Sequence, residues 1–371
     1  MEPFKNLIHE GLAFELGDRV RAVVADFPTR AFRAAVRGRL EALGVEGSGE
    51  VRGGGALGAR AGDAARRFGV LTEAVRGIPP IGSDELQSGW AMFPLDMVLF
   101  EHGPEAWRSA MDFAYELTQR FTAEFGVRSL LIAQPERTLK ELLAWAGDDS
   151  VHVRRLVSEG TRPRLPWGVQ LAAFVADPRP TRPLLEALAD DPEEYVRRSV
   201  ANHWNDIAKD HPEYVVEAMG QWWRPADPNR VRLVRHACRT LVKQGHGGAL
   251  ALLGHGRPRI DGLRFELRPR KLTLGGTLEA RVALQSSAKE SQSLIVDYRF
   301  HLVRAGGKTG EKVFKGGKLT LAPGAKENLV HRFPLRPVTT RRYYPGKTRV
   351  ELLINGEVLA EGEFTLLVPG P

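Results

Sequence analysis

With a single cysteine, Cys238, among 371 residues, the chain can form neither an internal disulfide nor a cysteine-rich metal site. Cys238 sits in the apolar helical pattern VRHACRTLVKQG, which predicts a small buried thiol. No stretch approaches the roughly 20 consecutive apolar residues of a membrane span. The opening MEPFKNLIHEGLAFELG has no cationic segment followed by an apolar run, so no secretory signal is expected. A soluble cytoplasmic protein is the expectation. The signatures of common enzyme classes are missing too: HExxH, GxSxG, GxGxxG before a helix, and paired CxxC. The ten histidines lack metal-ligand spacing, and His203 and His236 fall within helical patterns, where packing or capping is their expected role. GGKTGEK (Gly306 to Lys312) contains Gly-Lys-Thr, but Leu302 stands where a phosphate loop needs its first glycine. It also joins two strand-like segments, so it reads as a hairpin.

What is present divides into two regimes. Up to about Gly254 the apolar residues recur at helical spacing; beyond GHGRPRIDG they alternate in short segments broken by Gly, Pro and Asn. Charge divides at nearly the same place. Residues 262–371 hold 19 Lys and Arg against 10 Asp and Glu, whereas Met1 to Asp261 holds 34 against 35. The whole positive excess therefore belongs to the C-terminal part, which fits a module facing a polyanion as well as a soluble basic surface. TLEARVALQS, SLIVDYRFHLV, ENLVHRFPL and TRVELLINGEVLAEGEFTLLV read as strands, with Asn355-Gly356 a type I′ hairpin signal. Roughly seven short strands in about 110 residues predict an immunoglobulin-like sandwich.

The helical part repeats. DDSVHVRRLVSEG, DPEEYVRRSVANH and DPNRVRLVRHACR share an acidic start, then Val-Arg, then an apolar helix, with Val153, Val196 and Val234 spaced 43 and 38 residues apart. That period predicts HEAT-like helical pairs. The expected fold is thus multidomain α + β, an all-α HEAT-like repeat solenoid over 1–257 followed by an all-β immunoglobulin-like sandwich over 258–371. The glycine-rich segment 44–62 reads as a mobile loop between helices.

In YVRRSVANHWNDIAKDHPEYV, Val196, Val200, Trp204 and Ile207 form an inward stripe, while Asn202 and Asp206, four apart, share another face. Amides and carboxylates there do not favour the helix, so a functional surface is one reading. Other acids and an indole recur at corresponding places: Glu124, Glu159 and Trp167. Each also has a structural reading, as a solvated charge, a loop anchor or an inter-repeat ion pair. Arg154, Arg155, Arg197 and Arg198 could grip phosphates or pair between repeats. Together, carboxylates, an indole and guanidiniums suit a cationic planar ligand carried on an anionic polymer.

These residues resemble the AlkC/AlkD DNA alkylation repair glycosylases, specifically the AlkC branch, some of whose members append an Ig-like domain. The resembling segments are EPFKNLI, ELTQRFTAEFGVRSLL, VRRLVSEGTRPRLPWG, YVRRSVANHWNDIAKDHPE and RHACRTLVKQGHGGAL. The resemblance implies excision of cationic N-alkylated bases, 3-methyladenine and 3-methylcytosine, from duplex DNA by a monofunctional N-glycosylase. It implies no metal and no cofactor, and a monomer is expected. By motif, Glu159 is the first-ranked catalytic carboxylate, with Asp206 and Glu124 in support. Trp167, Asn202 and Trp204 are the candidate substrate contacts. Asn202 stands where AlkD-like members carry a tryptophan. Lys308, Lys312, Lys315, Arg341 and Arg342 are candidate DNA contacts of the basic domain. Two other readings stay open on the residues alone: a non-catalytic binder of DNA structure, and a protein-interaction scaffold.

Overall fold

The computed structural model of the chain describes residues 64–78, 80, 92–337 and 342–368, with the single positions 18, 21 and 30. The glycine-rich segment 44–62, the EPFKNLI segment and Arg341 lie outside the described residues. In chain order the helices are α1 (Ala64–Arg76), α2 (Phe93–His102), α3 (Trp107–Thr118), α4 (Val127–Ala133), α5 (Pro135–Trp145), α6 (Val151–Gly160), α7 (Ala172–Ala176), α8 (Arg182–Ala187), α9 (Glu194–Ile207), α10 (Pro212–Trp222), α11 (Pro228–Ala237), α12 (Arg239–Gln244) and α13 (Gly247–Leu252). Two compact units emerge, Met1–Asp210 with Pro225–Ala237, and His211–Arg224 with Cys238–Pro371.

The first unit owes its regularity to the repeated acidic start. Asp148 accepts the Ser150 N–H at 2.8 Å, Asp191 accepts that of Glu193 at 2.9 Å, and Asp227 accepts that of Asn229 at 2.9 Å. Each aspartate makes an Asx turn that satisfies a donor at the entry of α6, α9 or α11, where a helix leaves N–H groups unpaired. The valines that follow, Val153, Val196 and Val234, are fully buried, and α9 packs against both α6 and α11. Arg154 and Arg197 then do the same work one repeat apart. Arg154 donates to the carbonyls of Asp148 and Asp149 and reaches Asp191 in the next repeat. Arg197 donates to the carbonyls of Asp191 and Pro192 and reaches Asn229. Both are inter-repeat staples, so the phosphate-gripping role expected of them gives way to the structural reading. Cys238 is buried as expected, and burial pushes its thiol up to about 11.

In the second unit, two sheets form the sandwich. β1 (Ile260–Arg268), β3 (Thr277–Ser286) and β6 (Lys326–Pro334) make the first sheet in the order β1-β3-β6. The other takes the order β2-β8-β7-β4-β5, from β2 (Lys271–Thr273), β8 (Glu357–Leu367), β7 (Gly346–Ile354), β4 (Gln292–Val303) and β5 (Thr309–Leu321). Alternation in β3 turns Leu278, Ala280, Val282 and Leu284 inward, into one core with Val296, Tyr298 and Phe300 of β4. Rings bridge the sheets: Phe333 lies 5.0 Å from Tyr298 and 5.3 Å from Phe300 between centroids. GGKTGEK spans the β4–β5 turn and opens no helix. At the β7–β8 turn Asn355 and Gly356 have φ of 49° and 81°, the double left-handed pattern of a type I′ hairpin.

Candidate active site

Val153, Leu156 and Val157 fix the inward face of α6, and this phase buries Glu159 in its last turn. The carboxylate is fully engaged. Its Oε1 accepts Arg162 Nη1 at 2.6 Å and lies 3.7 Å from Arg155. Its Oε2 accepts the Ser199 hydroxyl of α9 at 2.5 Å. Ser199 Oγ is also 2.6 Å from Ser158 Oγ. Because the one Ser199 hydrogen goes to the carboxylate, Ser158 must be the donor to Ser199. Two hydroxyls in series thus orient Glu159.

The other two acids join through the arginines. Arg155 reaches Glu124 Oε2 at 2.8 Å and lies over the Tyr195 ring at 5.1 Å. Arg162 donates its Nε to Asp206 Oδ2 at 2.7 Å, and Lys209 meets the other Asp206 oxygen at 2.8 Å. Glu124, Arg155, Glu159, Arg162 and Asp206 therefore form an unbroken chain of alternating charge, with Glu159, Arg162 and Asp206 buried and Glu124 and Arg155 partly buried. Burial alone would push the Glu159 carboxyl up, but Arg155, Arg162 and the Ser199 hydroxyl outweigh it and hold it below the ordinary carboxylate value. Burial works against Arg155 as well, and Glu124 and Glu159 reverse it, so its pKa is raised. His203 shows the opposite balance. It is completely buried with Nδ1 at 3.0 Å from the Ser158 carbonyl, and burial drops its pKa to about 4, keeping the ring neutral.

Trp167 follows Glu159 on a short loop and is 78% exposed. Its φ of 63° is a left-handed conformation that a bulky residue rarely adopts. The indole is thus largely open to solvent, on a backbone conformation that costs energy to hold.

The remaining candidates fall apart into separate roles. Trp204 is fully buried beside Val200 in α9, so its proposed contact with substrate is corrected: the inward stripe that predicts its packing outranks its ring chemistry. Asn202 pairs with His236 of α11 at 2.9 Å. Arg198 is exposed and pairs with Glu194 of its own helix at 3.0 Å. In the second unit Lys308 and Lys312 are exposed, Lys312 lies over the Phe314 ring at 4.9 Å, and Lys315 pairs with Asp297 at 2.8 Å. Arg342 lies 5.7 Å from the Tyr344 ring. Sequence reasoning missed Arg162, Ser199, Ser158 and Arg128. The signal existed: at a repeat of about 40 residues, side chains one repeat apart on one face should meet, as Glu159 and Ser199 or Arg162 and Asp206 do.

Three comparisons bear on this arrangement. The family model described as the C-terminal Ig-like domain of the uncharacterised protein YhaZ matches residues 262–368. The uncharacterised protein YhaZ of Bacillus subtilis is 35% identical over 267 residues, spanning 71% of this chain and 73% of the relative. The structure of Pseudomonas fluorescens alkylpurine DNA glycosylase AlkC, bound to DNA containing an abasic site analog, is similar with a TM-score of 0.74 and 32% identity, covering 98% of this chain and 99% of that one. The chain belongs to the AlkC/AlkD-like DNA alkylation repair glycosylase family, in the AlkC branch that carries a C-terminal Ig-like domain.

Proposed function

We propose that the chain excises cationic N-alkylated bases, 3-methyladenine and 3-methylcytosine, from duplex DNA by hydrolysing the N-glycosidic bond and leaving the backbone intact. The observation that carries the reading is Glu159, held by Arg162 and the Ser199 hydroxyl and linked through arginines to Glu124 and Asp206, on a chain similar over 98% of its length to a DNA-bound alkylpurine glycosylase. A base with a formal positive charge departs with the electron pair of its C1′–N bond and becomes neutral. Positive charge then develops on the deoxyribose as an oxocarbenium. Carboxylates held ionised before the reaction stabilise that charge without reorganising. Water adds at C1′ and gives its proton to a carboxylate, completing an abasic site and a free base. No strong acid is needed, since the leaving group is already cationic, and this matches a Glu159 kept below the usual carboxylate range.

In this reading Glu159 is the catalytic residue, Asp206 and Glu124 set the surrounding negative potential, and Trp167 meets the lesion or its sugar. Asn202 sits beside the cluster through α9. Arg198, Lys308, Lys312 and Arg342 are the candidate phosphate contacts; Lys315, committed to Asp297, is a weaker one. The test is chromatographic detection of free 3-methyladenine or 3-methylcytosine after incubation with modified duplex. Release with an alkali-labile but otherwise intact strand supports a monofunctional glycosylase. Tight, salt-sensitive binding with no release of either base supports a DNA-structure binder, and absence of binding supports an interaction scaffold.

A further inference from the structure

The loop that presents Trp167 is short of its own donors. It contains Pro163 and Pro166, which have no N–H, and its internal backbone bonds include Gly168 N to Leu165 O at 3.2 Å and Leu171 N to Pro163 O at 3.1 Å. The carbonyls at its two ends are taken by one side chain from another helix. Arg128, in the first turn of α4 and completely buried, donates Nη1 to Gly160 O at 3.0 Å and Arg162 O at 2.8 Å, and Nε to Val169 O at 2.6 Å. Three carbonyls spanning residues 160 to 169 are thus tied to a single planar fork.

The frame behind the fork is itself fixed. Asp96 accepts the N–H groups of Phe125 at 3.2 Å and Gly126 at 2.8 Å, which pins the turn leading into α4. A Cβ on Gly126 would stand 2.5 Å from Asp96 Oδ1, so only glycine admits this cap. The same turn carries Glu124 toward the acid cluster and Arg128 toward the Trp167 loop. A guanidinium buried this deeply is expensive: burial lowers its pKa to about 10. Its Nη2 has no hydrogen-bond partner among the described residues. Holding Trp167 at a positive φ adds a further backbone cost of about 1–3 kcal/mol, and such strain persists only where the surroundings over-determine it.

From this geometry we propose that Arg128 is a positioning residue for base excision, fixing where the Trp167 indole stands relative to Glu159 by tying both ends of the intervening loop. The role rests on the reading of Trp167 as a lesion contact. Arg128 touches neither substrate nor reacting atoms in this scheme; its effect passes through Trp167.

The test uses the full chain labelled with 5-fluorotryptophan, with the Trp167 fluorine resonance assigned by Trp167→Phe. In Arg128→Lys, which keeps the charge but not the fork, the Trp167 resonance is expected to shift or broaden while the other tryptophan resonances hold. Single-turnover base release should fall about 10- to 100-fold, as for a small misplacement of a catalytic group. In the Trp167→Phe background the same Arg128→Lys change should produce no further loss. Arg128→Gln, which removes the buried charge together with the fork, should move the Trp167 resonance in the same sense, and it serves if Arg128→Lys does not fold. An unmoved Trp167 resonance, or an equal loss of rate in both backgrounds, overturns the proposal. If the wild type releases no base, the proposed function fails, and the fluorine resonances still decide whether Arg128 holds Trp167.

Discussion

The helical unit and the sandwich handle most of their charge differently. In the helical unit, near neutral in sequence, arginines and acids are turned inward and paired across repeats, Arg154 with Asp191, Arg162 with Asp206 and Arg155 with Glu124, and Arg162 also pairs locally with Glu159. The sandwich has an apolar and aromatic core, pairs its buried Asp297 and Glu351 with Lys315 and Arg299, and carries the positive excess of the chain, with Lys308, Lys312 and Arg342 on exposed positions. Inward charge fixes geometry and ionisation state. Outward charge acts at a distance and is screened by salt. A reactive centre needs the first property, and engagement of a polyanion needs the second.

The contrast can be broken at defined positions. Breaking a buried pair by removing one partner is the largest expected effect: Arg154→Met leaves Asp191 uncompensated and should cost about 3 kcal/mol of stability. Arg198→Met, on an exposed arginine of the next repeat, should leave the melting temperature unchanged. Thermal denaturation of the two variants compares inward and outward arginine directly. His203 sharpens the point through pH. With a folded pKa of about 4 against an ordinary 6.5, the unfolded chain binds the extra proton first. The stability His203 protects is thus complete above about pH 6.5 and is lost as pH falls toward 4, by about 3 kcal/mol. His203→Gln should flatten that part of the stability–pH curve in urea titrations.

In the sandwich, stability should answer to packing and backbone instead. Asn355 donates to Gly256 O at 2.7 Å and Ser293 O at 3.1 Å and accepts from Ile295 N at 2.7 Å, so its turn is anchored to the chain after α13 and to β4. A Cβ on Gly356 would collide with the Gly245 carbonyl, at a φ of 81°. Gly356→Ala is expected to destabilise by about 2 kcal/mol, with no dependence on salt. The smallest stability effect belongs to Lys308→Ala with Lys312→Ala, which should leave melting untouched. If those lysines meet phosphates, the slope of log affinity for duplex DNA against log salt becomes shallower by about 1 for each lysine.

The parts of this molecule legible from sequence are those set by local rules. The acidic starts and Val-Arg steps of α6, α9 and α11 are local Asx turns and amphipathic phase, and Asn355-Gly356 is a local turn rule. The inward stripe of α9 likewise places Trp204 in the core, against its tempting ring chemistry. The site is harder because it is assembled across repeats. Glu159, Asp206 and Glu124 are visible as acids at corresponding places, whereas the Arg162 bridge and the Ser158–Ser199 hydroxyl pair depend on contacts about 40 residues apart. Arg128 is the least legible of these, since VRSLL reads as an ordinary apolar helix with one arginine that should be solvated.

The central claim is that Glu159 is ionised, fixed and catalytic, and single-turnover release of 3-methyladenine or 3-methylcytosine by the wild type and by Glu159→Gln, with duplex affinity measured alongside, tests it most directly. The account predicts that Glu159→Gln loses at least about 100-fold in rate while its affinity for the same duplex stays nearly intact. A variant that releases base at the wild-type rate would contradict it and return Glu159 to the role of an ion-pair partner between repeats.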